Sequence, residues 1–239
     1  MHAANNYLYG IGKAVRQAVI DNSEAQALGL FLLADANDYF QSAAVTFFDA
    51  LRGIELGYFS WATVKLYFVF YSLRARLALN RECIFYAGHS PLALEASDNA
   101  SPVKLSGTTH KAVISRFSSR FPNDYFLSQD IGGKPPLDWL MALREDANYR
   151  NSRFSEPVAP SHLTFAATND LRKVLTAYTT DDVYVFDEQH AIVAYPFKML
   201  KALRQAMPSA PLAFNEADFL RQSLRDHEGN QATLECLLI

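Results

Sequence analysis

The segment Trp61–Leu79 constrains this chain more than any other stretch. Ser60 is a reasonable N-cap, and no glycine or proline interrupts the run before Asn80, so the spacing predicts one continuous helix. Its apolar side chains cover nearly the whole circumference. Trp61, Val64, Phe68, Tyr71 and Ala75 lie on one side, with Leu66, Phe70, Leu73 and Leu77 on the other. Lys65, Arg74 and Arg76 inside the run exclude a membrane span, because charge in hydrocarbon is costly. What remains is a helix packed on several sides at the centre of a helical bundle. Phe68 is accordingly expected in the core.

The rest of the chain can supply that packing. Of 239 residues, 50% are hydrophobic and 20% charged, enough for a sizeable core and too apolar for disorder. Seventeen Phe and twelve Tyr provide bulky packing surfaces. The formal charge of −3 excludes nucleic-acid binding by bulk electrostatics, while leaving room for a local basic site. Cys83 and Cys236 form neither a metal-ligand spacing nor a disulfide framework. With no signal pattern at the start, the plain reading is a soluble cytoplasmic protein without a membrane segment.

Residues 3–21 carry Leu8, Ile11, Val15 and Val19 at helical spacing. Ser23 followed by Gln26 reads as a capping box. From Glu24 to Leu56 the pattern gives one long helix, or two if Asn37-Asp38 interrupts it. Residues 81–108 lose periodicity and read as a loop insertion, in which Glu82–Tyr86 can pair briefly as a strand. Thr109 opens a helix to about Phe121. Pro157 and Pro160 punctuate the chain and suggest a boundary between a helical portion, 1–156, and a small α+β portion, 161–239. In the latter, Ser161–Tyr178 reads as helix. Val183–Phe186 and Ala191–Tyr195 read as two strands joined by Asp187–His190, a hairpin. Met199–Met207 reads as a short helix, Asn215–Leu224 as another, and Thr233–Ile239 as a final strand. The expected fold class is mainly α, a helical bundle with a mixed C-terminal portion.

Leu137–Asn151 follows the Gly132-Gly133 and Pro135-Pro136 breaks and reads as an amphipathic helix whose stripe is Trp139, Leu140, Leu143 and Ala147. Trp61–Leu79 is expected to pack against it. Arg144, Asn148 and Asn151 stand along one border of the stripe. The planar guanidinium of Arg144 suits a phosphate or a partner carboxylate, and equally a structural role at the bundle's edge. Asn148 can orient a phosphate or make a helix-packing hydrogen bond. Tyr149 is a weak acid by type, yet packing suits it better, since a phenol near pKa ~10 moves no proton at neutral pH without strong perturbation. Lys111, Arg116, Arg120, Arg150 and Arg153 can form a basic patch, or a solvated face balanced by Asp124, Asp146 and Glu156. The other histidines, His2, His89, His162, His190 and His227, show no partner spacing. No cofactor-binding or metal-binding motif is present in the sequence.

Three segments in order resemble the HEPN superfamily of helical-bundle proteins. They are the aromatic run Lys65–Leu79, then Thr109-His110-Lys111-Ala112-Val113 with Phe117, then Arg144-Glu145-Asp146-Ala147-Asn148-Tyr149. The resemblance covers roughly 40–155. It implies an up-and-down bundle that commonly pairs into a dimer, with RNA or a nucleotide as a possible ligand. Nuclease members place a His four to six residues after an Arg. Here Arg144 is kept, and Asn148, Tyr149 and Arg150 occupy the positions where that His would fall. The resemblance therefore implies a non-catalytic accessory or scaffold subunit of a multi-protein complex, in bacterial anti-phage defence or a toxin–antitoxin system. Arg144, Asn148 and Arg150 would then be its phosphate or partner contacts. The alternative is a metal-independent endoribonuclease of toxin type using Arg144, with Asn148, Tyr149 and His110. In that reading His110 supplies the missing imidazole, provided its helix start faces Arg144.

Overall fold

The structure, a computed structural model, describes residues 2–11, 17 and 19–207. The readings over 215–224 and 233–239 lie outside these residues. The fold is mainly helical with one small antiparallel sheet. Nine α-helices are present among the described residues: α1 (Ala3–Gly10), α2 (Asn22–Glu55), α3 (Phe59–Tyr67), α4 (Phe70–Leu79), α5 (Thr109–Arg120), α6 (Pro136–Glu145), α7 (Thr164–Thr168), α8 (Leu171–Thr180) and α9 (Ala191–Ala206). The strands are β1 (Glu82–Ala87), β2 (Ser90–Glu95) and β3 (Val103–Lys104), in the order β1-β2-β3.

Two compact units are present. One takes the chain up to Phe40 together with Phe70–Pro122, and the other takes Gln41–Val69 together with the chain from Asn123. In the first unit, α4 packs on β1 and on α5. The guanidinium of Arg76 lies over the rings of Phe117 and Phe121, 5.2 Å from each centroid. Ala4, Leu8, Leu28, Leu32, Phe85, Leu92 and Leu94 join in its core. In the second unit, α3 packs on α6, on the turn that follows it and on α9. The buried Tyr195 hydroxyl donates to Phe126 O at 2.8 Å, fixing α9 to the 125–127 turn.

The predicted single helix over 61–79 is two. Phe68 N–H and Val69 N–H bond back three residues, to Lys65 O and Leu66 O, tightening the end of α3. Each half then buries its apolar surface in its own unit: Leu66 and Tyr67 in one, Phe70 and Leu73 in the other. Phe68, at the break, is only half-buried, and Trp61 is 52% exposed. Expected packing of this stretch against Leu137–Asn151 holds for α3. The 24–56 pattern is one helix of 34 residues. Its capping box is Asp21 with Glu24 instead of Ser23 with Gln26. Glu24 N–H donates to Asp21 Oδ1, and Asp21 N–H donates to Glu24 Oε2, both at 2.9 Å.

The sheet sits mid-chain, inside 81–108, where only Glu82–Tyr86 had strand character by sequence. Gly88, with φ 65°, allows the tight turn that brings Ser90–Glu95 back along β1. The C-terminal hairpin predicted at 183–195 is corrected: Val183–Val185 is one 3-10 turn, and Ala191–Tyr195 opens α9. Asp187 acts there as a helix-start residue, its carbonyl accepting from Ala191 N–H at 2.7 Å and its carboxylate from Gln189 N–H at 2.9 Å. Every residue from Ala191 to Phe197 is buried, so full burial outweighs the strand preference of Ile192, Val193 and Tyr195. Ser161–Tyr178 is helical in pieces, divided at Asn169 because Asp170 caps α8 by accepting from Arg172 and Lys173 N–H.

A buried charge ties β1 to α5 in the first unit. Glu82, 1% exposed, is held by Arg116 through Nε at 2.5 Å and Nη2 at 3.0 Å, with Arg120 3.9 Å away. A bidentate guanidinium is what lets a carboxylate stay beneath a helix.

These placements separate two phenylalanines. Phe117, fully buried, should lose about 3–5 kcal/mol on truncation to alanine, the range for a large core cavity. Phe68→Ala should cost clearly less, since half-exposed Phe68 leaves no closed cavity. Denaturant midpoints at constant slope measure both, and equal losses would contradict the break after Tyr67.

Candidate functional site

α6 does not run on to Asn151. It ends at Glu145, and Asp146–Arg150 forms a π turn, with one extra residue in the hydrogen-bonded ring. The change of pitch takes Asn148 and Asn151 off the straight line drawn from Arg144. Arg144 lies at this junction with its guanidinium 5.2 Å from the Tyr67 centroid and 5.7 Å from that of Tyr149. Two rings therefore attract one cation. Its Nε is buried, and no described residue accepts from it. Burial pushes the Tyr67 phenol well above its ordinary range, with Arg144 pulling in the other direction, so this ring stays neutral. Tyr149 is 72% exposed, so one side of the arrangement faces solvent.

The remaining sequence-predicted residues divide. Arg150 is committed to its own turn, donating to Asp146 Oδ1 and Glu145 Oε2 at 2.9 Å each. Asn148 sits half-buried in the π turn. His110 belongs to the other compact unit, in the first turn of α5, with its ring 4.6 Å from that of Phe70. Of the five residues of the suggested basic patch, three are held in ion pairs: Arg116 with Glu82, Arg120 with Glu95 and Arg150 with two acids. Of the three expected acids, Asp146 takes part, whereas Glu156 serves a different purpose.

That purpose belongs to a polar cluster that sequence reasoning missed. Glu156 Oε1 accepts from Ser60 N–H at 2.7 Å, and Oε2 accepts from Ser60 Oγ–H at 2.8 Å. The carboxylate thus caps the first turn of α3 from a residue 96 positions away. Ser155 N–H donates to Ser60 Oγ at 3.1 Å. One turn on, Thr63 Oγ–H donates to Phe59 O at 3.0 Å, which leaves Oγ1 to accept from His162 Nε2–H at 2.9 Å. The sequence marks Ser60 as the N-cap, but Ser60 lies inside α3, which starts at Phe59, and the capping group is the distant Glu156 carboxylate. His190 likewise has a partner, Tyr178, whose hydroxyl lies 2.9 Å from Nδ1. Such pairs leave no local spacing.

Among the described residues, no cluster of three or more His, Cys, Asp or Glu could hold a metal. No described helix is long and apolar enough to cross a membrane. Cys83 is buried, and burial, with Glu82 adding to it, pushes its thiol up to about 12, far from nucleophilic form at neutral pH.

His162 gives the cluster a measurable pH response. Burial holds its imidazole down at about 4, against an ordinary 6.5. The unfolded chain therefore binds a proton that the folded one refuses over that window. Stability should fall as pH drops from 6.5 to about 4, by up to about 3 kcal/mol. Urea midpoints across this window should flatten in His162→Gln, and an unchanged slope in the variant would assign the response elsewhere. No protein-family model, curated protein or solved structure matches this chain.

Proposed function

We propose that this chain is a non-catalytic, HEPN-like accessory or scaffold subunit of a multi-protein complex, in a bacterial anti-phage or toxin–antitoxin setting. The observation that carries the non-catalytic reading is the state of Arg144. Its guanidinium is laid against Tyr67 and Tyr149 at the end of α6, where it braces α6 against α3. Cleavage of RNA without a metal needs a general base and a cation free to follow the developing charge. A guanidinium offers no base near neutral pH, and a neutral phenol pushed upward offers none. The sequence places Asn148, Tyr149 and Arg150 after Arg144, and Arg150 is already neutralised by two carboxylates. The partner and the cellular system rest on the resemblance of the three segments alone.

A surface role suits the second unit. Trp61 and Phe154 pair at 6.2 Å while remaining 52% and 54% exposed, and Tyr149 stands out into solvent. Exposed aromatics of this size are common anchors at protein interfaces.

The purified chain should cut no RNA in the presence of a chelator. Arg144→Ala should lower the unfolding free energy by about 1–3 kcal/mol and reduce capture of neighbouring gene products. Arg144→Lys should fail similarly, because an ammonium does not span two rings as a planar fork does. Metal-independent RNA cleavage by the wild-type chain, lost in both Arg144→Ala and His110→Ala, would replace this reading with that of an endoribonuclease.

A further inference from the structure

We propose that α1 is an acid-releasable strap over the outer edge of β1, latched by His2 and Asp35. The edge itself follows from the hairpin register. Tyr86 pairs with Pro91, which has no N–H, so that pair is a non-hydrogen-bonded one. The alternation then turns the backbone groups of Tyr86 and Ile84 away from β2, toward the outside of the sheet. The carbonyls of Ile84 and Tyr86 are both occupied. Arg74 Nη2 donates to Ile84 O at 3.1 Å, and the Tyr9 hydroxyl of α1 donates to Tyr86 O at 2.5 Å. Part of this edge cover is therefore supplied by α1, through Tyr9, and an uncovered edge is a template for another strand.

α1 has eight residues, too few to be stable by its own hydrogen bonds. Three anchors hold it. The buried Asp35 carboxylate, 2% exposed, accepts from Ala3 N–H at 2.6 Å and Ala4 N–H at 3.0 Å. Ala4 and Leu8 enter the apolar core, and Tyr7 stacks on Phe31 at 5.1 Å. His2, the residue before the helix, lies against the Tyr39 ring at 4.8 Å, and Arg74 lies over the same ring at 4.8 Å.

A proton on His2 would place a second cation beside Arg74, at the positive end of the α1 dipole. The groups facing it are Asp35, Asp38 and Tyr39 from α2, and Arg74 and Tyr71 from α4. Glu82 and Cys83 of β1 line one small cavity together with Asp35, Tyr39 and Arg74. Asp35 and Asp38 favour the charged ring, but burial and Arg74 outweigh them, and the imidazole is held below its ordinary value. The docked strap thus prefers neutral His2. As pH falls through the ordinary histidine range, the released strap takes up the proton and docking weakens.

Hydrogen–deuterium exchange on the full chain tests this, at about pH 7.5 and about pH 5.5, either side of the histidine value, ~6.5. Rates are corrected for the intrinsic effect of pH. In the wild type, amides in 2–11 and 82–87 should lose protection several-fold at the lower pH, while those around Phe117 hold. His2→Phe keeps a ring without a proton and should abolish the loss. Tyr9→Phe should loosen 82–87 at both values. An equal loss in wild type and His2→Phe, no loss in the wild type, or protection of 82–87 indifferent to Tyr9→Phe would each overturn the proposal.

Discussion

The architecture turns on the need to bury the apolar circumference of 59–79. A single straight helix with side chains of this kind on every face requires neighbours all round it. The chain meets the requirement by tightening the backbone after Tyr67 and starting again at Phe70. Each shorter helix then has only its own surroundings to satisfy. α3 packs on α6 and α9, and α4 packs on β1 and α5. Phe68, half-buried at the break, and Trp61, 52% exposed, keep part of their surface in solvent.

Once the apolar segments are placed, polar groups carried inward must find partners, and in this chain they find distant ones. Asp35 takes the free amides of α1, Glu82 takes Arg116, and Glu156 takes the first turn of α3. Each pairing removes an orphan donor or a bare charge that burial would otherwise penalise by a few kcal/mol. The same requirement explains why the arginines that look like a basic patch in sequence do not act together. Arg116, Arg120 and Arg150 are each paired with carboxylates close to them.

The Arg144 junction combines both pressures. α6 delivers the guanidinium to the edge of the α3 contact, and the π turn swings Tyr149 round so that a second ring lies against it. A cation held by rings stabilises a helix end without needing a carboxylate. That arrangement supports a bracing role for Arg144 at the contact of α6 with α3.

By itself the sequence determined the helical class, the bounds of α2 and α5 to within a few residues, and the prominence of Arg144 on α6. Periodicity and turn residues are local properties, so they could be read locally. It did not determine the break at Phe68, because the bonds that make it are ordinary i→i−3 contacts open to any sequence. Nor did it reveal β2, whose Ser-Pro-Leu-Ala-Leu-Glu run lacks β-branched residues and is a strand because β1 lies beside it. The run Ala191–Tyr195 shows the opposite case: strand-like residues became helix because the first two turns of α9 are buried on every side. Ser60 with Glu156 and Thr63 with His162 are joined across more than ninety residues. Hydrogen bonds of that span leave no periodicity behind, so only the tertiary structure could decide them.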